Sequence, residues 1–146
     1  MRIIFAALSL AAQAACGPSV AAPGSLADVK EITAPAEDTQ LLAVLSYASW
    51  CGACKALDPK VEAMRASQTY PGVEFFALDY SARDREAYFT DAETLGIAET
   101  MHMVFPDKVK TGQLYLIDRS SGKIAGTISQ SMTEAEISAA IEAALH

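Results

Sequence analysis

The stretch "YASWCGACKALDP", Tyr47 to Pro59, decides how the rest of this chain is read. It holds two cysteines, Cys51 and Cys54, separated by two small residues and preceded by Trp50. A pair at this spacing serves as a redox switch, as half of a metal site or as a structural staple. As a staple it would close only a short loop, which restrains the unfolded chain little. The compartment, the element that carries the pair and what the fold places opposite it decide the rest.

Working outward, "LLAVLSYA", from Leu41 to Ala48, is apolar nearly throughout, the pattern of a strand buried on both faces. After the cysteines, Leu57, Val61 and Met64 recur at helical spacing, and Pro59 should kink that helix rather than end it. Val73 to Tyr80 reads as a second strand. Arg83 to Leu95 reads as a helix stopping at Gly96, with a short helix from Ala98 to Phe105 after it. Gln113 to Asp118 and Lys123 to Gln130 form a hairpin around "RSSG". Thr133 and Glu136 are spaced as a capping box that opens a last helix to about Leu145. This order predicts an α/β fold, a mixed central sheet with helices on both faces. The cysteines then sit at the carboxyl end of a strand, where sites form in open α/β sheets.

The chain has 146 residues and is 51% hydrophobic, enough for one domain with a core. Its formal net charge of -7, with no Lys/Arg cluster, argues against a nucleic-acid partner. "MRIIFAALSLAAQAA" opens the chain as a secretion signal does, one positive residue and then apolar or small ones. The expected division is a signal peptide at 1–15, a flexible Gly/Pro/Ser/Ala-rich tether at 16–27 and the domain at 28–146. Ala12-Gln13-Ala14 fits a cleavage site. "AQAAC" instead resembles a bacterial lipoprotein signal with Cys16 lipidated, although Gln13 departs from that pattern. Either route places the mature protein in the periplasm, soluble or anchored by lipid, and leaves Cys51 and Cys54 as a redox pair in an oxidising compartment.

From Tyr47 to Pro59, and over roughly residues 28–146, the sequence resembles the thioredoxin superfamily: strand, Trp50, Cys-Gly-x-Cys, Lys55 and the kinking Pro59 fall in the family's order. "LYLIDRSSGKI" resembles the strand-turn-strand of the exported, membrane-tethered members. Three positions depart. Leu45 stands where the family has a buried Asp, Gly112 where it has a cis-Pro facing the cysteines, and Ala53 where thioredoxin has Pro. A helical insertion is expected at about 81–110.

The resemblance implies a thiol–disulfide oxidoreductase that works without a cofactor and as a monomer. Its partners would be the thiols and disulfides of exported proteins, with an unidentified electron donor. Cys51, at a helix N-terminus, is the expected attacking thiolate, and Cys54 the resolving thiol. With no His between the cysteines, the expected potential is on the order of -180 to -270 mV. Trp50, Gly52, Ala53, Thr111 and Gly112 are the expected substrate-contacting residues, with Gly112 leaving the facing backbone freer than a Pro would. Lys55 and Asp58 read as solvated helix residues. Two alternatives stand beside this: a copper-handling protein using the cysteines and "TMHMVF" at 100–105, and a non-catalytic binding module.

Overall fold

A computed structural model describes Ser25, Leu26 and residues 32–146. The proposed signal peptide, Cys16 and most of the proposed tether lie outside the described residues. The elements run β1 (Leu41–Tyr47), α1 (Gly52–Ser67), β2 (Val73–Asp79), α2 (Arg85–Thr94), α3 (Ala98–Val104), β3 (Gln113–Asp118), β4 (Ile124–Ser129) and α4 (Glu134–Ala144). The strands lie in the order β2-β1-β3-β4. β1 pairs parallel with β2 and antiparallel with β3, and β3 pairs antiparallel with β4. This is the mixed sheet expected from the order of elements.

β1 is central because both of its faces are apolar, and its alternation sorts the core in two. Leu41, Ala43 and Leu45 join Leu57 and Val61 of α1 and Ile137 and Ile141 of α4. Leu42 and Val44 join Tyr88 and Phe89 of α2, Met101 of α3 and Phe105. Burying such a side chain fully stabilises the fold by about 1.5–3 kcal/mol. The helix from the acidic 81–96 stretch thus covers one sheet face with an apolar stripe, Tyr88, Phe89 and Ala92. Thr133 and Glu136 form both halves of the capping box at the start of α4.

Two expectations need correcting. Leu26 is fully buried in the α1/α4 core, so the last residues assigned to the tether belong to the folded body. Asp58 is not solvated: its carboxylate accepts from the Leu26 amide at 3.2 Å and from the Ser25 hydroxyl, and it is 7% exposed. The cause is shared. Asp58 points inward from α1 and caps the backbone of the arriving N-terminal segment, which satisfies a buried charge that would otherwise be costly.

The register fixes two ends of the sheet. Ser46 pairs with Gln113 at the end that carries the cysteines, and Leu41 with Asp118 at the other. At about 3.3 Å per residue the two ends are roughly 17 Å apart.

Candidate active site

β1 delivers the chain into a tight turn, closed by the Cys51 amide donating to the Ala48 carbonyl at 3.0 Å. Cys51 has extended backbone angles and is the N-cap of α1. Its Sγ accepts from the Cys54 amide at 3.1 Å, the place an N-cap oxygen usually takes. Cys51 and Cys54 are joined as a disulfide with Cα atoms 5.3 Å apart. Cys51 is 7% exposed and Cys54 is fully buried. Cys54 Sγ lies 3.6 Å from the Ser46 carbonyl oxygen.

The backbone facing the sulfurs is Thr111-Gly112. Gly112 is held at φ +100, and a Cβ there would come within 2.7 Å of the Ala53 Cβ and 3.4 Å of Cys51 Sγ. Only glycine accommodates both the backbone angle and this close approach. The expectation that Gly112 loosens this wall is overturned. Its amide donates to the Ser46 carbonyl at 2.8 Å, and the Ser46 hydroxyl donates to the Lys110 carbonyl at 2.7 Å. The Tyr88 hydroxyl in turn donates to Ser46 Oγ at 3.0 Å. One residue of β1 thereby grips the loop on both sides of Thr111. Burial pushes the Tyr88 phenol pKa well above its ordinary value, and the Ser46 hydrogen bond offsets part of that rise.

Trp50 is 45% exposed and is fixed from the β2 side. Its Nε1 donates to the Ser81 carbonyl at 3.1 Å, and the Ser49 amide donates to Ser81 Oγ at 2.8 Å. The Arg83 guanidinium lies 4.3 Å from the Trp50 ring centroid. Gly52 is exposed, with nothing within 4 Å of an added Cβ, so close approach at this site belongs to Ala53 and Gly112. Leu45 turns its side chain into the α1/α4 core.

The Met-His-Met stretch does not join the cysteines. Met101 is fully buried under the sheet, while His102 stacks on Phe89 at 3.7 Å. Met103 is 69% exposed, beside a groove of about 790 Å³ that includes Gly122 and Ile124. Thr100 bonds the Gly122 carbonyl at 2.7 Å, which ties this groove to the opposite end of the sheet. The three side chains diverge because a single helical turn carries them. Among the described residues no three His, Cys, Asp or Glu side chains group as a metal site would need.

The cysteines, Trp50, Ala53 and Gly112 are thus brought together, with Thr111 half-buried beside them. Sequence reasoning missed Ser46, Tyr88, Ser81 and Arg83. A lone hydroxyl in an otherwise apolar strand was the available signal for Ser46.

Comparison with known proteins gives the following. The family model described as Thioredoxin matches residues 30–142. Thioredoxin-1 of Saccharomyces cerevisiae is 43% identical over 40 residues, which are 27% of this chain and 37% of that relative. Among solved structures, a point mutant of thioredoxin from Halobacterium salinarum NRC-1 is 19% identical with a TM-score of 0.45, covering 75% of this chain and 78% of that one. StoA from Bacillus subtilis is 14% identical with a TM-score of 0.47, covering 69% and 81%. The family match extends over most of the chain and takes in both the cysteine turn and the Gly112 loop; this chain belongs to the thioredoxin family.

Proposed function

We propose that this protein is a thiol–disulfide oxidoreductase acting through Cys51 and Cys54. The observation that carries the reading is the disulfide at the first turn of α1, with Cys51 as N-cap and the more exposed partner. An Sγ that accepts a helix N-terminal amide is favoured as thiolate over thiol, by hydrogen bond and helix dipole together. From the dithiol, the Cys51 thiolate attacks one sulfur of a partner disulfide. A Cys51–partner disulfide forms and the other partner sulfur leaves as thiolate. Cys54 then gives up its proton and attacks Cys51 Sγ. The second partner thiolate leaves, the Cys51–Cys54 disulfide remains, and two electrons have passed to the partner. An external dithiol donor restores the starting state.

Leu45 leaves no carboxylate at the family's usual place for taking the Cys54 proton. The Ser46 carbonyl, 3.6 Å from Cys54 Sγ, can orient the thiol but cannot accept its proton outright. The partner thiolate released in the first step is a base that can take that proton, and resolution should quicken as the second partner thiol, the leaving group, becomes more acidic.

The working place we infer is outside the cytoplasm, on the signal-like "MRIIFAALSLAAQAA" and the redox pair together. The partners would then be thiols and disulfides of exported proteins. Catalysed reduction of a disulfide substrate by dithiothreitol tests the activity: it should vanish in Cys51→Ser, and Cys54→Ser should accumulate mixed disulfides. Turnover that survives Cys51→Ser would overturn the reading. Fractionation of a bacterium expressing the full chain tests the location, and membrane association lost in Cys16→Ser would indicate the lipid.

A further inference from the structure

Three segments that meet at the cysteine end of the sheet, residues 49–55, 79–85 and 105–112, carry five cations and three acids. The whole chain has the opposite balance, 11 Lys+Arg against 18 Asp+Glu. Lys55, Arg83, Lys108 and Lys110 are exposed. Two of the three acids are committed to their own backbone: Asp79 accepts from the Ser81 amide at 2.8 Å, and Asp84 caps α2 through the Ala87 amide at 3.0 Å. Outside these segments acids return, at Glu86 on α2 and at Glu134 and Glu136 on α4. The cationic sector therefore lies over the ends of β2 and β1 and the loop into β3.

Arg83 is the most constrained of these cations. It has φ +56, the one non-glycine among the described residues with positive φ. Bulky side chains rarely adopt that region, so an Arg there is an observation that asks for a role. The turn is closed by the Arg83 amide donating to the Tyr80 carbonyl at 2.9 Å. It sets the guanidinium on the half-exposed Trp50 ring, one residue from Cys51. A guanidinium stacked on a ring still has its N–H edges free to meet a carboxylate in a fixed orientation.

We propose that this sector docks an acidic segment of a partner protein, with Asp or Glu within a few residues of the cysteine that Cys51 attacks. The proposal rests on the thiol–disulfide exchange proposed above. The partner segment lies across Trp50, its carboxylates meeting Arg83 on one side of the disulfide and Lys108 and Lys110 on the other. A basic segment at the same place is repelled. Charge of this kind acts chiefly on the rate of encounter and is screened by salt.

The chain's single Trp immediately precedes Cys51, so its fluorescence should report oxidation of the pair. The full chain, reduced and freed of reductant, is mixed rapidly with one of three oxidants. These are a synthetic peptide with an internal disulfide flanked by Glu, the same peptide flanked by Lys, and uncharged 2-hydroxyethyl disulfide. The Glu-flanked peptide should oxidise the protein about tenfold faster than the Lys-flanked one at low ionic strength, and the ratio should collapse towards one in about 0.5 M salt. Arg83→Glu should abolish or invert the ratio. Should that variant disturb its turn, the paired change Lys108→Glu with Lys110→Glu leaves the Trp50 stack in place and should lower the ratio in the same sense. Equal rates for the two peptides, or a faster Lys-flanked peptide, while the uncharged disulfide still reacts, would overturn the proposal and leave thiol–disulfide exchange standing. Failure of all three oxidants would overturn both.

Discussion

Two pieces of backbone meet at the disulfide, and they are held in different ways. The Cys51–Cys54 turn is held chiefly by its own sequence neighbourhood, a turn bond to Ala48, a helix start and a sulfur cap, with Ser81 bonding the preceding Ser49 and Trp50. The Lys110–Gly112 loop is held from far away in sequence, by Ser46 on β1 and through it by Tyr88 on α2. The first piece can be rebuilt from local rules. The second exists only once β1, β3 and α2 have packed. Proteins of this family usually have a cis-Pro at this second position. Here two hydrogen bonds to one serine and a glycine at φ +100 fix the loop instead.

The most damaging test of this contrast is Gly112→Pro. Proline cannot adopt φ +100, has no amide for Ser46 and would place ring atoms against Ala53. Strain, the lost bond and the clash together should cost about 3–5 kcal/mol. Gly112→Ala keeps the amide and should cost less, about 1–3 kcal/mol. Denaturant midpoints measure both. A Pro variant as stable as wild type would mean that the loop is not pinned as described.

Ser46→Ala comes next. It strips the Lys110 carbonyl and the Tyr88 hydroxyl of their shared partner and leaves buried groups unsatisfied, for about 1–3 kcal/mol. Tyr88→Phe removes one bond of the set and should cost about 0.5–1.5 kcal/mol. The two also differ in pH dependence. The Tyr88 pKa is raised in the folded state, so its contribution is complete below the unfolded phenol value of about 10 and is lost as pH rises beyond it. Wild type should therefore weaken on the alkaline side more steeply than Tyr88→Phe. Identical alkaline profiles would remove Tyr88 from the account.

The local half of the comparison is tested by alkylation of the dithiol form. Cys51 should react about tenfold faster than Cys54 near neutral pH, since one sulfur sits at the helix start and the other is fully buried. Mass mapping of the first-labelled peptide decides it, and equal labelling would remove the distinction between the two sulfurs.

The same contrast explains what was legible in the sequence. β1, α1 with Pro59, the hairpin and the capping box all show in short windows, because apolar period, caps and turns are local. The cysteine pair and Trp50 were legible for the same reason. The Ser46 grip, the Ser81 carbonyl under Trp50 and the burial of Asp58 were not, since each joins residues more than thirty positions apart. Asp58 misleads because a carboxylate among Lys and Pro looks solvated until Leu26 folds over it. Met-His-Met misleads in the other sense: adjacent in sequence, its side chains leave the helix in three directions.

The smallest effect should come from the turn at the far end of the sheet, where holding is again local. Asp118 accepts from the Ser120 and Ser121 hydroxyls, each at 2.7 Å, and from the Ser121 amide at 2.8 Å. These bonds favour its charged form and hold its pKa at about 2, below the unfolded value of about 3.9. A carboxyl with a depressed folded pKa contributes stability above its unfolded value, and that contribution fades as pH falls through the folded one. For Asp118 the window runs from about pH 4 to about pH 2. Because Asp118 is only partly buried, on a turn among exposed residues, solvent screens the effect, and it should be small beside that of Ser46→Ala. Asp118→Asn should shift the denaturant midpoint slightly at neutral pH, and the difference from wild type should shrink as the solution is acidified. If the difference instead stays constant from about pH 6 to about pH 2, the turn is held by its backbone alone, and local side-chain bonding matters at the cysteine end but not here.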